Sequence, residues 1–438
     1  MKYALFWAAL AFVPVLAAVL AMNKRWTGWA FYGMLVGLYM YESTSISFLS
    51  HEMYRGTAKG MEVSLLHILA LAMVLSLAFR GKAQSLFPEG GIRLYGVFFL
   101  LCIPSFWNAD SAVISWLELW KMMMVFLFWH AVYGYLCDTG DAETVLKALA
   151  LFVIANALKV IQQHYSFHTA QGVFPHRNGM AMAMNLLGPV FFAGYLQLGL
   201  RNWLGRWCTL AFACAALCGM WSYSRGAIAA LPIAYGLAAG ACLLGPNRLR
   251  GKVMWRLVPV VIAGLVGLAA IWVHMVQRFQ GAPTGSKYTR VALAYCAWEM
   301  MKDHPFAGVG LNNWSLNLED THPYQDIVIE KMDNEMSYTG LVETVYLLTG
   351  AECGIPALLA MVAWFLWHWV ACVRMVWSLR WSQWHFIAAG LSGGLAANYL
   401  QSTLEWVLRQ RRTLFLLVFF FALVAWMRTL RQEKEQAA

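Results

Sequence analysis

"CTLAFACAALCGMWSYSRGAIAALPIAYGLAAGACLL", residues 208–244, contains one charged side chain, Arg225, set between two apolar runs. Crossing ~30 Å of hydrocarbon takes about 20 predominantly apolar residues in a helix, so the stretch reads as two membrane helices joined by a short turn around 221–225. An arginine at membrane depth is costly and normally faces protein, water or an anion. Snorkelling to the interface is the alternative reading.

The same pattern runs outward in both directions. Of 438 residues, 61% are hydrophobic and only 12% charged, and the mean hydropathy is +0.56, far from the balance of a soluble domain. Apolar runs fall near 3–22, 27–46, 62–79, 92–107, 112–135, 143–161, 178–200, 207–222, 226–246, 253–274, 340–370, 384–402 and 412–428. The fold expected is an all-α polytopic membrane protein of about 12–13 transmembrane helices. The first run has no small-residue cleavage site and leads straight into further spans, so it reads as a retained helix. The nine cysteines lie mostly in apolar runs without a CxxC pair, as small core residues rather than a disulfide framework.

The +10 net charge is decided by its distribution. Assigning alternate loops to one side collects Lys24, Arg25, Arg80, Lys82, Arg201, Arg206, Arg248, Arg250, Lys252, Arg374, Arg380, Arg428 and Arg431 there, the positive-inside pattern. No basic run carries the stacking aromatics or reading helix of a nucleic-acid binder. Nucleic acid is therefore excluded as a partner.

One segment breaks the rhythm. Residues 275–338 are mostly polar and fall on the outer side, dividing the chain into N-terminal helices (1–274), a long loop (275–338) and C-terminal helices with a short tail (339–438), one membrane domain in all. Within the loop, Val291, Leu293, Ala294, Ala297, Trp298 and Met301 recur at roughly helical spacing, which predicts an ordered helix lying over the membrane domain.

Several basic residues sit on the wrong side of that charge pattern. Arg177, Arg225, Arg278, Lys287 and Arg290 lie at or beyond the outer ends of spans; Arg409, Arg411 and Arg412 join them if the last two spans are set correctly. Guanidinium groups gathered beside lipid suit a diphosphate, because each planar fork holds two phosphate oxygens. The competing account is that each pairs with a local carboxylate or snorkels. In "PHRNG", 175–179, His176, Arg177 and Asn178 head an apolar span; Asn178 is placed to cap the helix, and Arg177 is next in line for phosphate contact. "HPFAGVG", 304–310, reads as a helix end and turn; no GKS or GKT follows, so it is no nucleotide loop.

The "SRG" at 224–226, "GVFPHRNGMA" at 172–181, the run from Arg290 through Trp298 to Gly310, and "ETVYLLTGAECGIP" at 343–356 together resemble the bacterial O-antigen ligase and polymerase superfamily. The resemblance implies a GT-C-like helical fold in the inner membrane, with the long loop and the active site on the periplasmic side. It implies transfer of glycan from an undecaprenyl-diphosphate donor to an acceptor hydroxyl, with no metal and no cofactor. It further implies that Arg225 and Arg290 engage the donor diphosphate. Where the family has a His ten intervening residues before a Gly, this chain has Glu343 before Gly354. Glu343 is therefore the candidate general base, since a carboxylate of suitable pKa can take the acceptor's proton. Its alternatives are a helix-start carboxylate or a partner for a loop arginine. His304 and His322 are substitutes, and Glu352 reads as a packing brace.

The sites expected are thus Glu343, Arg225 and Arg290 for catalysis, and Arg177, His176, Arg278, Lys287 and His322 for the diphosphate and glycan. The partners expected are the undecaprenyl-diphosphate-linked glycan donor, a glycan or lipid acceptor, membrane lipids and other polysaccharide-assembly proteins. Loss of the ligase-type His leans toward a surface-polysaccharide polymerase over a ligase to lipid A-core or protein. A transporter or flippase would show internal repeats and polar residues near mid-membrane, and neither is found. A non-catalytic envelope scaffold is the third class.

Overall fold

The structure is a computed structural model that describes residues 2–167, 170–280, 284–319, 322–332 and 340–437. In chain order it begins with α1 (Lys2–Met22), α2 (Lys24–Tyr39) and the single turn α3 (Tyr41–Thr44). An antiparallel hairpin, β1 (Ile46–Ser50) and β2 (Gly60–Val63), precedes α4 (Leu65–Phe79), α5 (Gly90–Cys102), α6 (Ala112–Thr139), α7 (Ala142–Phe167) and α8 (Arg177–Leu198). Then come α9 (Trp203–Trp221), α10 (Arg225–Leu243), α11 (Asn247–Gln280), α12 (Thr284–Asp303), α13 (Pro323–Met332), α14 (Val345–Ser378), α15 (His385–Gln401) and α16 (Arg411–Ala437).

This is an all-α polytopic membrane protein, 79% helical. Among the described residues, 9 helices are long and apolar enough to cross a membrane, and Phe6–Met22 and Leu65–Phe79 are shorter apolar helices. Each apolar run of the sequence has a helix at its centre. Two boundaries differ from the sequence reading. The long helix of the run at 27–46 ends at Tyr39, because Met40 leaves helical geometry (φ −93°, ψ 28°), and the single turn α3 followed by the extended Ser45 leads the chain into β1. The run at 340–370 is broken at Gly354, as described below.

Ion pairs define one end of the bundle. Asp138 takes Arg80 at 2.6 Å, Lys82 at 2.7 Å and Lys24 at 3.7 Å, which brings the α1–α2, α4–α5 and α6–α7 connections together. The hairpin, α12, α13 and the α15–α16 connection lie at the opposite end.

The centre of the bundle is α8, with 94% of its apolar window buried, packed against α9, α10 and α15. Lipid tails are as apolar as leucine, so helices associate in a membrane by close van der Waals approach through small residues. The sequence "AAGLSGGLAAN", 388–398, supplies them in α15: a Cβ at Gly393 would lie 2.0 Å from the Ala234 carbonyl oxygen of α10. In contrast, α11 stands at the periphery: Val253 is buried, but Met254, Trp255, Val258, Val261, Ile262 and Leu265 are exposed.

In the loop, α12 buries Leu293, Ala297 and Met301; the first two join a small core with Trp314, Val328 and Leu348, and Met301 packs at Gly350 of α14. Val291 and Trp298 lie on its other face, 60% and 55% exposed, because seven residues of α-helix return to the same side and neither sits with the 293–297–301 stripe. "HPFAGVG" then seats in the break of α14. Val309 N donates to Ala351 O (2.9 Å), Gly310 N to Glu352 O (3.0 Å) and Ile355 N to Pro305 O (2.8 Å). These bonds satisfy carbonyls and an amide freed by the left-handed Gly354 (φ 80°, ψ 173°). A Cβ at Gly354 would lie 2.5 Å from the Phe306 carbonyl carbon, so the loop and the broken helix approach as bare backbone.

Candidate functional site

At the end opposite Asp138, α8, α10, α14 and α16 all present their N-termini. Helix N-termini carry partial positive charge and unpaired N–H groups, so this end is predisposed to anions. Three of the helices open on arginine, Arg177 in α8, Arg225 in α10 and Arg411 in α16.

The local reasons are legible. His176 caps α8: it is extended (φ −145°, ψ 147°) and its Nδ1 accepts from Asn178 N at 3.2 Å. Asn178 is therefore not the cap the sequence suggested. Its side chain instead donates from Nδ2 to Glu405 Oε1 at 2.6 Å. At α10, Tyr223 adopts φ 49° and Ser224 precedes the first helical residue, Arg225. The next residue, Gly226, faces the α15–α16 connection: a Cβ there would sit 3.9 Å from Gln401 Cγ and 3.9 Å from Leu404 Cδ1. The start of α14 is tied to the same connection by Val345 N donating to Ser402 O at 3.2 Å.

Just before that start, Glu343 forms an ion pair with Arg290 of α12, the side chains 33% and 38% exposed. Arg290 Nε is buried and makes no hydrogen bond among the described residues, leaving a donor to be satisfied. Glu405 is 7% exposed. Burial pushes its carboxyl up from the ordinary 4.5 to about 7; the Asn178 hydrogen bond lowers it, the Glu343 charge raises it, and Arg290 and Arg177 lower it. Arg177, Arg290, Glu343 and Glu405 thus form one electrostatic cluster. Gly226, the neighbour of Arg225, packs against Leu404 next to it.

Other sequence candidates lie elsewhere. Arg409 is buried, with Nη1 on Glu352 Oε2 (2.6 Å) and Nη2 on Glu118 Oε1 (3.1 Å). Arg411 pairs with Glu62 at 2.5 Å and Arg412 with Glu42 at 2.9 Å. The basic run 409–412 is therefore occupied by internal partners, and Glu352 is a brace for Arg409. His304 lies near Asn108 (3.4 Å), and His322 lies 3.6 Å from Asp110. Tyr324 bonds Asp303, which places His322 toward the far end of α12, roughly 20 Å along the helix from Arg290. The side chains of Arg278 and Lys287 lie outside the described residues.

Sequence reasoning passed over Glu405. One signal was available: it is the sole acidic residue between Glu352 and Glu433. A lone carboxylate in such a stretch requires a partner or a task.

Residues 210–362 match the family model described as O-antigen ligase. The match runs from α9 into the first part of α14, and so includes Arg225, Arg290, Glu343 and Glu352 while Arg177 and Glu405 lie outside it. It supports the O-antigen ligase and polymerase superfamily. No curated protein matches the chain.

Proposed function

We propose that this chain, whose residues 210–362 carry the O-antigen ligase domain, is a glycosyltransferase of the bacterial inner membrane. It moves glycan from an undecaprenyl-diphosphate donor to an acceptor hydroxyl on the periplasmic side. The observation that supports this reading is the cluster of Arg177 and Arg290 about Glu405 in the α15–α16 connection, against which Gly226, the neighbour of Arg225, also packs, at the end opposite the Asp138 cluster. In the reaction the acceptor oxygen bonds to the anomeric carbon as the bond to the diphosphate breaks. Negative charge grows on the leaving diphosphate, where fixed guanidinium groups and helix N-termini stabilise it without reorganising.

The polyprenyl tail stays in lipid while the head sits on the arginines. His176 and His322 supply further contacts along the glycan, which extends over the same end toward Asp110. The acceptor's proton goes to a carboxylate of the cluster, either Glu343 or Glu405. The Glu at 343, in place of the family's His, favours a polymerase of surface-polysaccharide repeat units over a ligase.

Deleting the gene and analysing the lipid-linked glycans tests this. Single repeat units accumulating on the carrier support the polymerase. Long unligated chains shift the assignment to a ligase. Unchanged glycan pools overturn the reading.

A further inference from the structure

We propose that Glu405 receives the acceptor's proton, and that Glu343 serves instead to hold Arg290 for the diphosphate. The inference rests on the diphosphate reading above.

A proton acceptor must be ionised at working pH, yet basic enough to take a proton, and must be fixed beside the reacting bond. Glu343 is committed to Arg290. Protonating it would dissolve that pair at the moment Arg290 is needed by the leaving group. Glu405 carries no such conflict: the group that engages its Oε1 is the neutral amide of Asn178, at 2.6 Å. Its position is fixed from both sides. Upstream, Leu404 N donates to Gln401 O (2.9 Å) and Ser402 O accepts from Val345 N (3.2 Å); downstream, Arg409 is clamped by Glu118 and Glu352. The charges that face it are Arg177 from α8, Arg290 from α12 and Glu343 before α14. The first two are the residues assigned to the diphosphate, so the carboxylate borders the place where the leaving group departs.

The step balances. The acceptor oxygen forms its bond to the anomeric carbon, and the carbon–oxygen bond to the carrier breaks with its electron pair leaving on undecaprenyl diphosphate. The hydroxyl proton passes to Glu405, which becomes a neutral acid and later returns the proton to water. A carboxyl near 7 suits both halves of that cycle better than one at 4.5.

The test uses full-length protein in nanodiscs, lipid-linked glycan extracted from a strain lacking the gene, and undecaprenyl diphosphate as the binding probe. Glu405→Gln is expected to slow turnover by about 100-fold or more while leaving undecaprenyl diphosphate affinity within about twofold. Wild-type turnover is expected to fall on the acid side of neutral, and the residual Glu405→Gln rate to lack that limb. Asn178→Ala removes a bond that favours the charged carboxylate, so its acid limb moves to higher pH; a merely structural role for Glu405 would leave the limb in place. Near-normal turnover of a folded Glu405→Gln, or an unmoved limb in Asn178→Ala, overturns the assignment. Unchanged undecaprenyl diphosphate affinity in Arg290→Ala would instead defeat the diphosphate reading, so the two failures are separable.

Discussion

Arg409→Met probes the device that sets the height of the 402–411 connection. Arg409 reaches Glu352 at 2.6 Å and Glu118 at 3.1 Å, while Lys121 holds Glu118 at 2.7 Å. Thr57 donates to Glu118 Oε2 at 2.7 Å, and Lys121 Nζ donates to the Arg409 carbonyl at 2.9 Å. All four ionic side chains are 10% exposed or less, and their charges cancel. Methionine fills similar volume but removes one cation. Lys121 still balances Glu118, so Glu352 is left buried and uncompensated, which costs about 3–5 kcal/mol. That is a large share of the ~5–15 kcal/mol that keeps a typical fold together. A thermal ramp of detergent-solubilised protein, read by size exclusion, should show a lower melting temperature and poorer recovery. Adding Glu352→Gln to Arg409→Met removes the orphaned charge and should restore about 1 kcal/mol or more, a non-additivity that only directly interacting sites show. A single variant melting like wild type, or additive effects in the double variant, would refute the reasoning.

Gly354→Ala forces a side chain onto φ 80° and drives a Cβ to within 2.5 Å of the Phe306 backbone; loss of folded protein is expected, and normal yield by fluorescence-detected size exclusion would count against the backbone docking. Glu405 supplies a pH test of stability. Its folded value of about 7 lies above the ordinary 4.5, so the folded state binds the extra proton; the stabilisation is full below about 4.5, is lost as pH rises through about 7, and amounts to about 3 kcal/mol. Glu405→Gln should therefore melt above wild type at pH 8 and converge with it near pH 5, and a pH-independent difference would contradict the burial argument. Arg225→Ala should abolish glycan transfer while the protein remains folded in the membrane; product at the normal level would remove Arg225 from the site.

The sequence made the helices legible because hydrocarbon thickness imposes run length whatever the tertiary contacts. The break in α14 left no such mark: Gly354 sits in an apolar run, and its left-handed geometry exists only because 305–310 approach from elsewhere in the chain. Arg177, Arg225 and Arg290 stood out as charges on the wrong side of the loop pattern. The run 409–412 stood out equally, yet its partners Glu42, Glu62, Glu118 and Glu352 are remote in sequence, so no spacing rule distinguishes it from the site cluster. Glu405 was hidden for a related reason. Its depth and its neighbours depend on how one short connection folds under α8 and α14. Asn178 misled because helix-start statistics favour it as a cap, whereas His176 takes that bond and frees the amide for Glu405.

On the proposed reading, arginines from α8, α10 and α12 grip one diphosphate. A cryo-EM structure of the full chain in nanodiscs with undecaprenyl diphosphate measures it directly. The predicted result is a diphosphate within hydrogen-bonding distance of Arg177, Arg225 and Arg290, beside Glu405, with the polyprenyl chain leaving into lipid. A diphosphate seated at the Asp138 end, or held by none of these arginines, would contradict it.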